Sequence, residues 1–305
     1  MTSRVVVLGS VNLDVVTEVA ALPRPGQTVT AHRVRRNVGG KGANQAVAAH
    51  LLGANVTLVA RVGDDPESAW LRAGLAETGL DVTAVRSVPG RASGTAYIAV
   101  AAGENTIVVD PGANHSWPGG LGPDRAAVGT AAVLVLQHEV PAELNELAVA
   151  AGRARIVLNA APSRAVPPAL LARCDPLVVN AHELVDQVGG AISEGVHAAM
   201  SALLRRGAPG VVTTLGADGA VWATATEAGQ VDAVGQIGAV AVEAVDSTGA
   251  GDAFVGALAG ELAGGATLPH AVRWAVGAAS ASVRSAGTHA SYPDRAAVRA
   301  LLGWS

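Results

Sequence analysis

The chain has 305 residues, half of them hydrophobic and only 3 % aromatic, with 21 basic and 25 acidic residues giving a net charge of −4. That length and apolar content allow a sizeable α/β core with a smaller appendage. The mild charge excludes the electrostatic footprint of a nucleic-acid or anionic-membrane binder, and a single cysteine, Cys174, excludes an intrachain disulfide and a cysteine-based metal cluster.

Along the chain, short β-branched runs alternate with helix-like segments. Val5–Gly9 reads as the first strand. Asn12 and Asp14 interrupt the apolar run from Met1 too early for a signal peptide, and no stretch reaches the roughly 18 apolar residues of a membrane helix, so a soluble, cytoplasmic protein is expected. Residues 15–38 are rich in strand formers and turn residues, with a turn and strand at Leu22–Val29. A helix is predicted over Ala43–Leu52, a strand over Val56–Arg61 and a helix over Ser68–Thr78. Residues 93–109 break the alternation again and read as a hairpin with Gly103 and Glu104 near its turn. Strands follow at Ala132–Gln137, Arg155–Asn159, Pro176–Asn180 and Gly210–Leu215, with helices at Pro141–Ala151 and Gly195–Arg206. Val272–Ser282 and Asp294–Leu302 read as late helices. Strands apolar on both faces, separated by helices, predict a doubly wound, mostly parallel sheet flanked by helices. Segments 15–38 and 93–109 are expected to pair into a small β-sheet lid on a single domain spanning 1–305.

Four strings carry candidate chemistry. In "DSTGAGDAFVGALAGEL", Asp246–Leu262, a loop with Gly249 and Gly251 runs into an apolar helix. The first turn of a helix has free N–H groups and partial positive charge, and glycines let a phosphate approach them. Asp252 at that mouth cannot bind phosphate, but it can take a proton from a hydroxyl attacking phosphorus. An ordinary helix start would explain a lone Gly-x-Gly-Asp equally well. "NVGGKGANQAVAAHLLG", Asn37–Gly53, lacks the nucleotide P-loop spacing, because Gly42 and Ala43 follow Lys41. Lys41 and Asn44 offer donors to neutral hydroxyls near a hinge-like Gly39–Gly40 pair; a flexible turn capping a helix is the competing reading. "GSVNLD", Gly9–Asp14, ends the first strand, where ligands of open α/β sheets bind. Asn12 and Asp14 there suit vicinal hydroxyls, or ordinary turn chemistry. "NAHE", Asn180–Glu183, follows another strand and could hold hydrated Mg²⁺ beside a triphosphate, with a helix N-cap the stronger alternative. His138, His182 and His289 fall in no metal spacing and are read as unassigned polar or surface histidines.

Together these strings resemble the PfkB-type sugar kinases, also called the ribokinase family. "GGKGANQAVAA" at Gly39–Ala49 and "DSTGAGDAFVGAL" at Asp246–Leu258 are similar to its two signatures. "VLGSVNLD", "PGQTV", "VGDD", "GENTIVVDPGAN" and "LNAAP" fall in family-like order, and the likeness runs from Val5 to Pro293. It implies ATP-dependent phosphorylation of a small sugar, D-ribose at its primary 5-hydroxyl, or alternatively a ketose, deoxyribose or nucleoside. It implies Asp252 as catalytic base, with the amides of Gly249, Ala250 and Gly251 as an anion hole. Asn12, Asp14, Gly40, Lys41, Asn44 and Glu139 would bind sugar. Asn180, Gly251 and Thr214, Leu215, Gly216, Ala217, Asp218 and Gly219 would line the ATP site, and Asn180 and Glu183 would organise Mg²⁺ through water. A K⁺ site would lie at Asp246, Thr248, Ser282, Ser285, Gly287 and Ser291. The lid would pair with another lid in a homodimer.

Departures from the family pattern are "NAAP" at Asn159–Pro162, a Glu in the second variable place of "NAHE", and no polar residue at the place in Val272–Ser282 where some relatives put a histidine; they bear on base selectivity and leave the catalytic centre intact. Tyr97 alone offers an aromatic surface near the lid, which disfavours a nucleoside. An intact Asp252 after Gly-Ala-Gly, and no added DNA-binding segment, disfavour a non-catalytic sugar-binding regulator.

Overall fold

Side chains alternate across each buried strand, and here both faces are apolar. The structure is a computed structural model that describes residues 4–102, 104–190 and 195–304; the expected turn residue Gly103 and the N-terminal Met1 lie outside them. At the centre of the main sheet, β1 (Arg4–Leu8) has β4 (Asn55–Val62) and β5 (Val85–Ser87) on one side. On the other side lie β8 (Val133–Leu136), β9 (Arg155–Asn159), β10 (Cys174–Asn180) and β11 (Gly210–Thr214), all parallel. Two further strands, β12 (Ala220–Ala225) and β13 (Val231–Ile237), extend this edge antiparallel and complete a nine-stranded sheet.

Val5 and Val7 of β1 join one core, and Val6 and Leu8 the other. The first core is covered by α1 (Lys41–Leu51), α2 (Pro66–Glu77), α8 (Ala250–Ala263), α9 (Leu268–Ser282) and α10 (Arg295–Leu302). The second is covered by α3 (Arg125–Gly129), α4 (Ala142–Ala150), α5 (Pro168–Leu171), α6 (Ala181–Val188) and α7 (Val196–Arg205). The fold class expected from the alternation is therefore the one observed. Local chemistry sets several helix ends: Asp65 caps α2 with Pro66 at its first position, and Asp294 caps α10. Among the described residues no helix is long and apolar enough to cross a membrane.

A second, four-stranded sheet runs β3 (Ala31–Gly39), β2 (Asn12–Val19), β6 (Gly94–Ala101), β7 (Glu104–Asp110). Its outer pairs are antiparallel and its central pair, β2 with β6, is parallel. Asn12 and Asp14 thus belong to this sheet, and do not end the first strand as expected. The chain turns at Gly9–Val11 and re-enters extended structure at once, so both side chains sit where the two sheets meet. The Gly39–Gly40 pair is not a loose hinge either. A Cβ on Gly39 would fall 2.0 Å from Asp14 Oδ2, and one on Gly40 would lie 2.9 Å from the Asn12 amide.

Candidate active site

The parallel strands end together at Leu8, Leu136, Asn159, Asn180 and Thr214, and beyond those ends the candidate residues converge, as ligands do in open α/β sheets. Gly249, at φ +77°, is the N-cap of α8, so the chain enters the helix through a conformation that favours glycine. Asp252 follows in the first turn and is 7 % exposed. Its carboxylate is gripped from α1, accepting from Asn44 Nδ2 and Gln45 Nε2, both at 2.9 Å. Gln45 Oε1 in turn accepts from Gln137 Nε2 at 2.7 Å. Gln45 and Gln137 are fully buried and were not singled out in the sequence; the 3–4-residue spacing of α1 only becomes a contact once α8 packs against it.

Glu139 reaches the start of α1, accepting from the Lys41 amide at 2.9 Å and from the Ser10 hydroxyl. It sits against the free N–H groups of that helix, where a carboxylate is stabilised. Asn114 donates through Nδ2 to Asn12 Oδ1 at 2.7 Å and accepts from the Val11 amide at 2.9 Å. This fixes the Asn12 amide with its NH₂ group available to a ligand, and a Cβ on Gly94 would collide with both side chains. Asp14 is pushed up to about 7 by burial, and further by Glu139 and Asp252. Lys41 is held above its ordinary value by Asp252, against the effect of burial, with Glu139 and Glu183 adding to the rise.

Asn180 and Glu183 form a reciprocal capping box at the start of α6, so the helix-cap alternative is realised. Both also line a polar cavity of about 150 Å³ with Lys41, Asn159, Gly251 and Asp252. Burial raises the Glu183 carboxyl, against the Asn180 amide and Lys41. Thr214 and Gly251 connect this cavity to a cleft of about 500 Å³ lined by Gly216, Ala217, Gly219, the 239–242 strip, Phe254 and Ser280. Leu215 and Asp218 do not line it. A Cβ on Gly251 would meet nothing within 4 Å, so this glycine leaves the cavity open. Of the three expected anion-hole amides, that of Ala250 donates to the Ser247 carbonyl at 3.2 Å, because the loop makes a turn before the helix starts.

Asp246 joins the loop before α8 to the segment after α9, accepting from the Thr248 and Gly287 amides at 2.9 Å each. Burial acts to raise its carboxyl, but the Gly287 amide, the Thr248 side chain and amide and the charge of Arg35 together outweigh it, holding the group below its ordinary value. The Ser282 and Ser291 hydroxyls donate to nearby carbonyls of their own segment, Ala279 and Thr288; Ser285 is exposed. Among the described residues no three His, Cys, Asp or Glu side chains converge as a direct metal site.

Two of the three histidines depart from the surface reading. His138 is buried, with Nδ1 on the Pro162 carbonyl at 3.1 Å. His289 meets Asn44 Oδ1 through Nε2 at 2.9 Å. No spacing signal could have found it, since its partner lies 245 positions away. His182 is exposed as expected. A separate groove, about 820 Å³ around Glu261, His270 and Arg295, lies at the opposite end of α8 and contains none of the candidate residues.

A buried carboxylate at a glycine-capped helix start, beside polar donors and acceptors and an open cleft, has the make-up of a site for transfer of an anionic group to a polar acceptor. Residues 2–295 match the pfkB family carbohydrate kinase description. The chain belongs to this family and is a carbohydrate kinase. It is 35 % identical over 302 residues to the deoxyribokinase of Salmonella typhimurium, covering 95 % of each chain. It is 33 % identical over 302 residues to the ribokinase of Haemophilus influenzae, covering 97 % of each. The Arabidopsis thaliana ribokinase complexed with ribose and ATP superposes with a TM-score of 0.90 at 30 % identity, with full coverage of both chains.

Proposed function

We propose that the chain transfers the γ-phosphate of ATP to the primary 5-hydroxyl of D-ribose. The observation that carries this reading is Asp252 at the junction of the polar cavity and α8, held by two amide donors from the helix that also bears Lys41. The ribose- and ATP-bound plant relative supports the ligands. Asn12, Asp14, Gly40, Lys41, Asn44 and Glu139 bind the sugar. Asp14 and Glu139 accept from hydroxyls, while the NH₂ of Asn12 and Lys41 donate. Asp252 takes the proton of the attacking hydroxyl. The amides of Gly249 and Gly251, at the positive end of α8, face the charge that develops on phosphate. The apolar strip 239–242, Phe254 and Ser280 accommodate the base, with Gly216, Ala217 and Gly219 leaving room for the nucleotide.

The polar cavity fits a hydrated ion: Asn180 and Glu183 flank it, and Glu183 uses only Oε2 in its cap. Mg²⁺ held through water there would neutralise phosphate charge. The same reading places K⁺ among Asp246, Thr248, Ser282, Ser285, Gly287 and Ser291, where an ionised Asp246 ties the glycine loop to the segment behind it. It also places the protein in the cytoplasm, as a single domain whose small sheet serves as a lid and pairs with the lid of a second copy.

A coupled assay over D-ribose, 2-deoxy-D-ribose, ketoses and nucleosides tests the function, run in matched Na⁺ and K⁺ salts. D-ribose is expected to give the highest kcat/KM, with K⁺ raising the rate. The second reading, deoxyribose, is favoured by the 35 % identical deoxyribokinase, and it wins if loss of the 2-hydroxyl raises kcat/KM. An inert ribose with an active ketose or nucleoside rejects both.

A further inference from the structure

Asn44 presents a problem of orientation that the sequence does not show. Its side chain lies between an acceptor-only carboxylate and an imidazole: Nδ2 donates to Asp252 Oδ2 and Oδ1 meets His289 Nε2, each at 2.9 Å. Asp252 can only accept while ionised, so Asn44 must turn its NH₂ group toward it. Asn44 Oδ1 then requires a donor, and His289 must carry its proton on Nε2. Asn44 is 7 % exposed, so water does not readily replace that donor.

The segment bearing His289 grips the same site at two more points. Gly287 N donates to Asp246 Oδ2 at 2.9 Å, and Tyr292 Oη donates to the Gly249 carbonyl at 3.2 Å. Gly249 is in turn pressed against this segment, since a Cβ there would lie 2.6 Å from Thr288 Cγ2. One stretch, 287–292, thus contacts the loop entering α8 and, through Asn44, the carboxylate in the first turn of α8.

We infer that His289 is a positioning residue, which locks the amide orientation of Asn44 and thereby the carboxylate of Asp252 in register with the Gly249 loop. The inference rests on the reading of Asp252 as the base. Asn44 oriented this way aims its NH₂ group at Asp252 Oδ2 and holds the carboxylate in place. The charged and titratable groups bearing on Asp252 are Lys41, Asp14, Glu183, His289 and Tyr292.

The test compares wild type with His289→Phe, His289→Gln and Asp252→Asn by steady-state kinetics from pH 5 to 9. Phe keeps a ring without a donor; Gln keeps an N–H donor. Removing a donor from a buried acceptor predicts a fall of about tenfold in kcat for His289→Phe, with sugar KM changed less. His289→Gln should restore kcat to within about threefold of wild type, as expected if the donor alone is replaced. If His289→Phe does not fold, judged by circular dichroism, His289→Met takes its place as the donorless variant. A folded donorless variant with wild-type kcat overturns the inference. Asp252→Asn separates the two readings: near wild-type turnover in that variant rejects Asp252 as the base, whereas loss of turnover there with an unaffected donorless His289 variant rejects the positioning role alone.

Discussion

At the residue scale, the site gathers carboxylates that repel one another. Asp14, Glu139 and Asp252 interact, and burial with those two neighbours lifts Asp14 to about 7. The free peptide group ionises near its ordinary value of 3.8. A carboxyl whose folded pKa is raised contributes stability that is fully present below 3.8 and is lost as pH rises through about 7. The ionised group therefore weakens the fold under the conditions in which it would bind sugar hydroxyls. Asp14→Asn removes the charge, so it is expected to be more stable than wild type at pH 8 by roughly 1–3 kcal/mol. The advantage should shrink at pH 5, and sugar affinity should fall at both pH values. Thermal melts at the two pH values check this; a stability difference that does not change with pH contradicts it.

The element scale is dominated by the contact of α1 with α8, because it brings Asn44 and Gln45 to Asp252. Gly256 makes that contact close. A Cβ there would lie 2.5 Å from the Gln45 carbonyl oxygen and 2.8 Å from Ala48 Cβ and the Ala49 amide. Gly256→Ala adds helix propensity worth about 1 kcal/mol, yet it forces two backbones apart, and overpacking of this kind costs about 1–3 kcal/mol. The expected result is a lower denaturant midpoint together with reduced kcat, since displacement of α1 moves both amide donors. Gly260→Ala, one turn further along α8, is the control. Its nearest contact would be Ala54 Cβ at 3.4 Å, so stability and kcat should hold or stability should rise slightly. Equal effects at the two positions would mean that the close approach at Gly256 is not what holds the donors in place.

On the scale of the whole molecule, the four-stranded sheet leaves apolar side chains in solvent. Val34 is 58 % exposed, Tyr97 56 %, Ile107 51 % and Val108 64 %, and β7 is exposed along its whole length. A small sheet with an open edge and open apolar positions is a surface for pairing. A dimeric mass by light scattering at micromolar protein is expected, and Val108→Lys should shift it toward monomer. A monomeric mass with and without sugar counts against lid pairing.

Much of this was legible in the chain itself. Runs such as Val5–Gly9, Arg155–Asn159 and Gly210–Leu215 carry consecutive apolar residues through their middles, and a strand buried on both faces needs that wherever it sits. The Gly249–Asp252 string was legible too, since a glycine at φ +77° followed by a helix start is a local backbone requirement. The late strands Ala220–Ala225 and Val231–Ile237 were missed. Val231–Ile237 carries mixed polarity at the half-exposed sheet edge, and Ala220–Ala225 is a short run between two antiparallel partners. The start of α1 at Lys41 and that of α9 at Leu268 were also misplaced, the first because Glu139, from a distant segment, meets the Lys41 amide. The hydrogen-bond network around Asp252 could only come from the tertiary structure. Gln45, Gln137 and His289 are ordinary polar residues in sequence, and a hydrogen bond spanning 92 to 245 positions is set by which helices pack together. The sequence by itself determined the sheet, the glycine-capped helix and the carboxylate at its mouth, because these depend on neighbours along the chain. The packing of α1 and the 287–292 segment against α8 decided how that carboxylate is aimed, because orientation depends on donors that only close contact supplies.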